Sequence, residues 1–490
     1  MPKKRSTLAF GMGVLSTSLF LCSTLVHAQG SPAHPDKQQV IDHWTPERRA
    51  AAIPRDLVMD PQGKGYLRKP DGSLEPYGLR QESQGSGQTP MARPPGGDSN
   101  PSVITDMSPA PGSTITPTYT FSAVVTDPNG LKSVVFYVTH SGSLHAYTAV
   151  KATSSDVWSV TVTGMQVGTG SWYVRATDKS STKGTITRST DAAFTVSSGG
   201  GGGNPDIVTN AAWSGGVVQQ SVGRLYFQMP TNSRRTRWGY FVCSGTVVQD
   251  DKSDRSIILT AAHCVYDDAN KAFARNVLFI PNQAGTSGTA TDNNCSNDPL
   301  GCWVPSFGVV DTNWAAGTFP DNVQWDYAYY VVNDAGAHQQ GITVSSDSLG
   351  AAVGGLPVSF VTPSSNDGVS SKTSPDFTHS LGYSYSYDPQ FRYCAEDMTV
   401  IGSVNWWLPN CGLTGGASGG PWVQPMDAVI GSGNIISVNS WGYTDGRSGM
   451  AGPMLDVNTA ECLLLGAGNT VFGSVPTAAG DAGVIPPCGS

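Results

Sequence analysis

The sequence predicts an all-β protein built from two folded units joined by a flexible tether. Three observations carry that expectation. First, from Pro101 to about Val196 the chain is a succession of short runs, "TYTFSAVVTD", "LKSVVFYVTH", "DVWSVTVTG" and "GSWYVRATD". In these, Val, Thr, Tyr and Phe alternate with polar residues, and turns such as Asp127-Pro128-Asn129-Gly130 separate them. Second, "SSGGGGGNP", residues 197–205, is almost pure glycine, the composition of a tether. Third, residues 205–490 again read as short strands with Gly, Asn, Asp and Ser loops, enough β-structure for barrels or a large sandwich. At 490 residues the chain exceeds a single ordinary core.

Taken in order, "MPKKRSTLAFGMGVLSTSLFLCSTLVHAQG" opens on Lys3, Lys4 and Arg5, continues with an apolar run and offers Val26-His27-Ala28 as a cleavage site. Residues 1–28 are therefore expected to be an export signal, with an uncleaved anchor as the competing reading. A lipid on Cys22 is disfavoured by the bulky Leu21. No later stretch is apolar for long enough to span a bilayer as a helix, so no membrane association is expected after signal cleavage. The mature protein is expected to be secreted, extracellular or periplasmic.

Residues 29–98 show little strand patterning and read as a propeptide and linker. "QVIDHWTPERRAAAI" has helical character, with Thr45-Pro46-Glu47 resembling an N-cap followed by proline. "RQESQGSGQTPMARPPGGDSNP" is a polar Pro/Gly linker. Removal during maturation is the expectation, and retention as an accessory segment is the alternative. Residues 99–197 hold about seven strands, which suggests an immunoglobulin-like β-sandwich. That stretch has no cysteine, so packing around Trp158 and Trp172 must hold it, and nothing beside His140 or His145 suggests chemistry. Residues 198–204 form the Gly-rich linker, and 205–490 the last domain.

The charge balance is mildly acidic, 29 Lys+Arg against 37 Asp+Glu, and only 13% of residues are charged. A basic footprint is missing, which excludes nucleic acid as a partner class. Of nine cysteines, Cys22 leaves with the signal and the other eight follow residue 240. An even number in an exported chain reads as disulfides. Their clustering suggests Cys243–Cys264, Cys295–Cys302, Cys394–Cys411 and Cys462–Cys488. No Cys-x-x-Cys pair suggests zinc, and "DNNCSND", Asp292 to Asp298, reads as a disulfide-closed polar loop, not a calcium site. No metal or cofactor is expected.

The chemistry gathers in the last domain. "TGGASGGPW", Thr414 to Trp422, surrounds Ser418 with glycines, as a nucleophile turn requires when its N–H groups must converge on an oxyanion. His263 ends the apolar strand of "RSIILTAAHC", and a Cys243–Cys264 bond beside it would clamp a general base. His338 and His379 have no such support. "LTAAHC" together with "GASGGP" resembles the trypsin/chymotrypsin-type serine endopeptidases, in their secreted bacterial, glutamyl-endopeptidase-like branch. The likeness spans roughly Val222 to Cys462, and "HWTPERRAA" is similar to pro-segments of that branch.

The resemblance implies two six-stranded β-barrels with the active site between them, and a triad of His263, Asp326 and Ser418. Asp326 is the acid because it precedes the apolar strand of "QWDYAYYVV", while Asp298, Asp311 and Asp321 sit in loop-like sequence. It further implies an oxyanion hole from the amides of Gly416 and Ser418. Ser440, Trp441 and Gly442 of "SVNSWGY" would be the edge that pairs antiparallel with a substrate backbone. Gly412 would be the floor of the primary pocket, with Leu413 beside it and Gly449 lining it. Asn439 stands where glutamate-selecting relatives place a histidine, so an uncharged side chain is the expected preference. Ala417 stands where trypsin-like zymogens have an aspartate, so latency is expected from blockage by residues 29–98 and not from an unformed oxyanion hole.

The leading expectation is thus a secreted serine endopeptidase made as a precursor, acting on protein or peptide substrates. Its Ig-like domain would bind a surface, a polymer or the substrate, or assist folding. The rival from another class is a catalytically inactive, protease-like binding or adhesion protein acting through the Ig-like domain.

Overall fold

The computed structural model describes residues 37–78, 102–196 and 206–488, apart from 61, 110–112, 116, 152–156, 180–184, 290, 293, 336–337, 339–340, 343–347, 366–370, 403, 445–447, 477–479 and 481. The expected signal (1–28), the linker part of 29–98 beyond residue 78 and the tether 198–204 lie outside the described residues. Strands dominate throughout.

The 102–196 unit is a sandwich of two sheets. One runs in the order Val150–Lys151, Val157–Val162, Tyr119–Thr126, Val103–Ser108. The other runs Ser113–Ile115, Ala192–Val196, Gly168–Asp178, Leu131–His140, Ser143–Thr148, with Ile186–Arg188 also on Gly168–Asp178. Alternation in the sequence sets the inward residues: Leu131–His140 buries every second side chain along most of its length, as a half-exposed strand must. Its core is Phe121, Phe136, Trp172 and Phe194. Trp172 is fully buried and its indole N–H donates to Pro109 O at 3.0 Å. Trp158, expected to share that centre, is only partly buried at the margin of the cluster.

In the last domain seven strands of an eight-stranded sheet follow the path Arg275–Pro281, Val222–Pro230, Trp238–Val248, Arg255–Thr260, Ala328–Asn333, Phe307–Val310, Gly483–Val484. A five-stranded sheet joins Val208–Ala212, Arg392–Asp397, Phe377–Gly382, Pro421–Asp427 and Ser432–Val438. Four disulfides close it, pairing Cys243 with Cys264, Cys295 with Cys302, Cys394 with Cys411 and Cys462 with Cys488. Among the described residues no helix is long and apolar enough to cross a membrane.

Residues 37–78 depart from the sequence expectation. The two short helices are present, Lys37–His43 and Pro46–Ala50, with Thr45 capping the second. Beyond them, however, the segment forms strands, and it forms them with the last domain. Ile53–Pro54 pairs with Trp238–Val248, and Asp56–Met59 joins Trp441–Tyr443 in a seven-stranded sheet that also takes Gly65–Arg68 and Leu74–Pro76. These strands are two to four residues long, too short to show a period of two, and their register is set by a distant partner. Trp44 anchors the segment: it is fully buried, packs on Tyr226 and Tyr240 and donates its indole N–H to Asn276 O at 2.6 Å.

Candidate active site

The strand Arg255–Thr260 is buried at every position and runs into a single tight turn, Ala262–Cys264. Its neighbour Ala328–Asn333 pairs with it antiparallel, Thr260 opposite Ala328, so the residue entering that neighbour lies beside the turn. Asp326 occupies that entry. One of its carboxylate oxygens accepts from the backbone N–H of His263 at 2.8 Å and the other lies 2.7 Å from His263 Nδ1. Ser440 Oγ donates to the second oxygen at 2.5 Å. All three residues are buried. A buried carboxylate against Nδ1 selects the tautomer with the proton there, which leaves Nε2 as an acceptor. Nε2 is buried and has no hydrogen-bond partner among the described residues.

Ser418 sits on a turn whose glycines have a steric reason. Gly416 has φ +95° and Gly419 φ +80°, both in the region that side chains avoid. A Cβ on Gly419 would lie 2.0 Å from Thr260 Oγ1 and 2.8 Å from Ala261 N, so the turn rests directly on the strand end that carries His263. Every carbonyl along the turn is held. Tyr385 N–H donates to Gly415 O at 2.9 Å, and Ser244 Oγ and Arg224 Nη1 donate to Gly416 O at 2.9 and 3.1 Å. Asn439 Nδ2 donates to Ala417 O at 3.0 Å and Ser244 N–H to Ser418 O at 2.7 Å. The amides of Gly416 and Ser418, by contrast, donate to no described residue. The carbonyls of residues 415–418 are thus fixed into the protein, while the amides of Gly416 and Ser418 stay without a donor bond among the described residues.

These struts answer the question that Ala417 raises. Arg224 is fully buried, also donates to Tyr383 O at 2.6 Å and pairs with Asp388. Burial lowers its pKa to about 10, so it remains cationic at neutral pH beside the Gly416 carbonyl. Asn439 is fully buried beneath the turn, with its oxygen accepting from Ser380 Oγ and Trp422 Nε1. Its amide N–H groups donate to Leu381 O and Ala417 O, so its side chain is spent on holding the turn that carries Ser418. Arg224 and Ser244 carry no motif; Arg224 lies in a strand buried throughout and Ser244 in the buried part of Trp238–Val248.

The residues expected to form the pocket have these surroundings. Gly412 is held by Thr209 O and Asn210 Nδ2, at 2.7 and 2.8 Å. Leu413 belongs to the apolar cluster of Met398, Trp406, Trp422 and Met450. A Cβ on Gly449 would reach 2.1 Å from the Trp407 ring, which in turn lies 6.2 Å from that of Trp441. Trp407 went unnoticed in the sequence, where only the aromatic pair in "NWWLPN" hinted at it. His338 stacks near Trp303, and His379 lies among Trp213, Phe377 and Tyr393 with burial lowering its pKa to about 4. A ring nitrogen of His263 and the sulfurs of Cys243 and Cys264 come within 4.8 Å of one another, but the sulfurs are bonded together and offer no thiolate to a metal.

The edge Ser440-Trp441-Gly442 is already occupied. Leu57 pairs with Trp441, Val58 with Gly442 and Met59 with Tyr443, in parallel and not in the antiparallel sense expected of a substrate. Ile53 and Pro54 pair, also in parallel, with Phe241 and Val242. Between these two pairings the segment crosses the candidate site: a Cβ on Gly415 would lie 2.8 Å from Pro54 Cβ and 2.9 Å from Asp56 Cβ. Burial raises the Asp56 pKa to about 6, against the opposing pull of Arg68 and of His263.

No family model matches the chain, and no curated protein is recognisably similar to it. Among solved structures, the fibronectin(III)-like modules of Clostridium thermocellum CbhA align at 21% identity over 19% of this chain and 94% of theirs, with a TM-score of 0.15. CopC from Methylosinus trichosporium OB3b aligns at 17% identity over 19% of this chain and 92% of its own, with a TM-score of 0.16. The cycloalternan-degrading enzyme from Trueperella pyogenes aligns at 10% identity over 51% of this chain and 36% of its own, with a TM-score of 0.17. At such scores these likenesses carry no argument about the last domain.

Proposed function

We propose that the protein is an exported serine endopeptidase of trypsin-like double-barrel type, held latent by its own residues 37–78. The observation that carries this reading is His263, fixed on one side by Asp326 at 2.7 Å and left with a buried, unpartnered Nε2 on the other. In the working enzyme Nε2 takes the Ser418 proton as Oγ attacks the scissile carbonyl. The amides of Gly416 and Ser418 receive the oxyanion, and the imidazolium, stabilised by Asp326, returns the proton to the leaving amine. Water activated by the same nitrogen then releases the acyl group. Among the described residues Ser418 Oγ makes no hydrogen bond to His263 Nε2; in this mechanism that bond forms or tightens when substrate arrives. Parallel pairing of residues 57–59 with 441–443 suits a plug: it fills the edge but runs opposite to a substrate.

The fully buried Trp44, Leu57 and Val58 favour a second reading, in which the segment never leaves and the domain is a silent scaffold. A fluorophosphonate probe, applied to the secreted, processed protein beside its Ser418→Ala variant, separates the two. Adduct confined to Ser418 is the expected result. A folded, disulfide-intact protein freed of residues 29–98 that takes up no probe would end the enzyme reading.

A further inference from the structure

Where the segment enters the cleft, Arg55 is turned into the last domain and is only 1% exposed. Its guanidinium meets Asp267 at 3.1 Å and lies 5.6 Å from the centre of the Phe241 ring. Asp268, fully buried, is the next residue, and it takes the Tyr77 hydroxyl of the same segment. Tyr77 in turn accepts from Arg55 at 2.7 Å. Tyr77 Oη also reaches Asp267 at 3.4 Å, and the remaining bonds to the two carboxylates come from neutral groups of the last domain. Asn270 N–H donates to Asp267, and Phe319 N–H and Asn322 Nδ2 donate to Asp268. Lys271 is close by, but its ammonium is turned to the carbonyls of Ala315, Ala316 and Gly317. In the closed chain the cation in contact with this carboxylate pair thus belongs to the removable segment.

When the segment leaves, the two neighbouring carboxylates lose their guanidinium and hydroxyl partners together and open to the cleft. Phe241 stays behind on Trp238–Val248, so departure of the segment leaves a carboxylate pair beside an aromatic face, the combination that recognises a guanidinium. The site lies on the path of the cleft. Arg55 sits between Pro54, paired with Val242, and Asp56, which lies against Gly415 next to His263. Along the segment it therefore lies on the far side of Asp56 from residues 57–59, which pair with the 441–443 edge.

We propose that Asp267, Asp268 and Phe241 form a subsite for a basic side chain, arginine above all, of an extended peptide substrate, on the side of the scissile bond away from the 441–443 edge. Arg55 fills it in the latent chain. This rests on the reading of the cleft as a peptide-hydrolase site.

The test uses the processed protein and internally quenched peptides in which arginine, norleucine or glutamate is walked through three positions on each side of the scissile bond. Expected is one position, on a single side, where arginine exceeds norleucine at least tenfold in kcat/KM. That ratio should collapse towards one in Asp267→Asn, whatever the absolute rates. Should Asp267→Asn fail to fold, Phe241→Leu, which keeps the packing and removes the ring, should lower the ratio severalfold. A protein that takes fluorophosphonate on Ser418 but shows a ratio near one at all six positions overturns the subsite and leaves the enzyme reading standing. If no probe is taken up, the enzyme reading falls, and calorimetry with butylguanidinium on the same protein decides the site. Binding that is lost in Asp267→Asn supports a guanidinium site, and absence of binding overturns it.

Discussion

Asp56 makes the closed state of the cleft dependent on pH in a direction that can be worked out. Only 18% of its side-chain surface remains exposed, and burial raises its pKa from the ordinary 3.8 to about 6. The docked segment therefore prefers the protonated carboxyl. Docking is strongest below pH 3.8, where Asp56 is neutral whether docked or free, weakens as pH rises from 3.8 to about 6, where only the free carboxyl is ionised, and levels off above 6, where both forms are ionised. Two pKa units correspond to about 3 kcal/mol, roughly 100-fold in the opening equilibrium over the whole titration, of which about 50-fold falls between pH 4 and 8 because the free carboxyl is already about half ionised at pH 4. Hydrogen exchange of the Leu57, Val58 and Met59 amides in the full-length Ser418→Ala chain, corrected for intrinsic rates, reads that equilibrium directly. Asp56→Asn should remove most of the pH dependence and keep these amides protected at pH 8. A parent chain whose opening changes less than threefold over this range, or an Asp56→Asn chain with the parental slope, would falsify the assignment to Asp56.

Three further outcomes follow from the same geometry. Asp326→Asn keeps the shape but loses the charge that fixes the His263 tautomer, and turnover of the processed enzyme should fall about 10⁴-fold in steady-state assays. Gly416→Ala places a methyl 2.9 Å from Arg224 Nη1 and Tyr383 O at a φ of +95°; kcat should drop at least ~100-fold with KM little changed, because the displaced amide serves the transition state. Replacing both Cys243 and Cys264 by serine opens a crosslink of sequence separation 21 and should cost about 3 kcal/mol in denaturant unfolding of the domain.

What could be read in the sequence was whatever is local. His263 and Ser418 stand out because their neighbours, an apolar strand with a cysteine and a cluster of glycines, are within a few positions of them. Asp326 could be picked because the strand that positions it follows immediately. The cysteine pairs were legible because each closes a loop of 26 residues or fewer. The struts were not legible: Arg224 reaches Gly416 across 192 positions, and Ser440 reaches Asp326 across 114. A buried arginine in a strand reads, from sequence, as an interruption of the pattern. The strands of residues 53–76 failed for a related reason, since their partners lie in another part of the chain. Asn439 shows the limit of reasoning by position alone: its place beside Ser440 suggested a pocket, while its amide faces the underside of the turn.

The segment that closes the cleft is joined to the cleft through the same polypeptide, and this sets how latency behaves over time. While the chain is whole, docking is an intramolecular event governed by an effective concentration, and no dilution can open the site. One cut between residues 78 and 206 converts it into a bimolecular equilibrium. From that moment the occupancy of the cleft by residues 37–78 depends on protein concentration, falling as the cut protein is diluted.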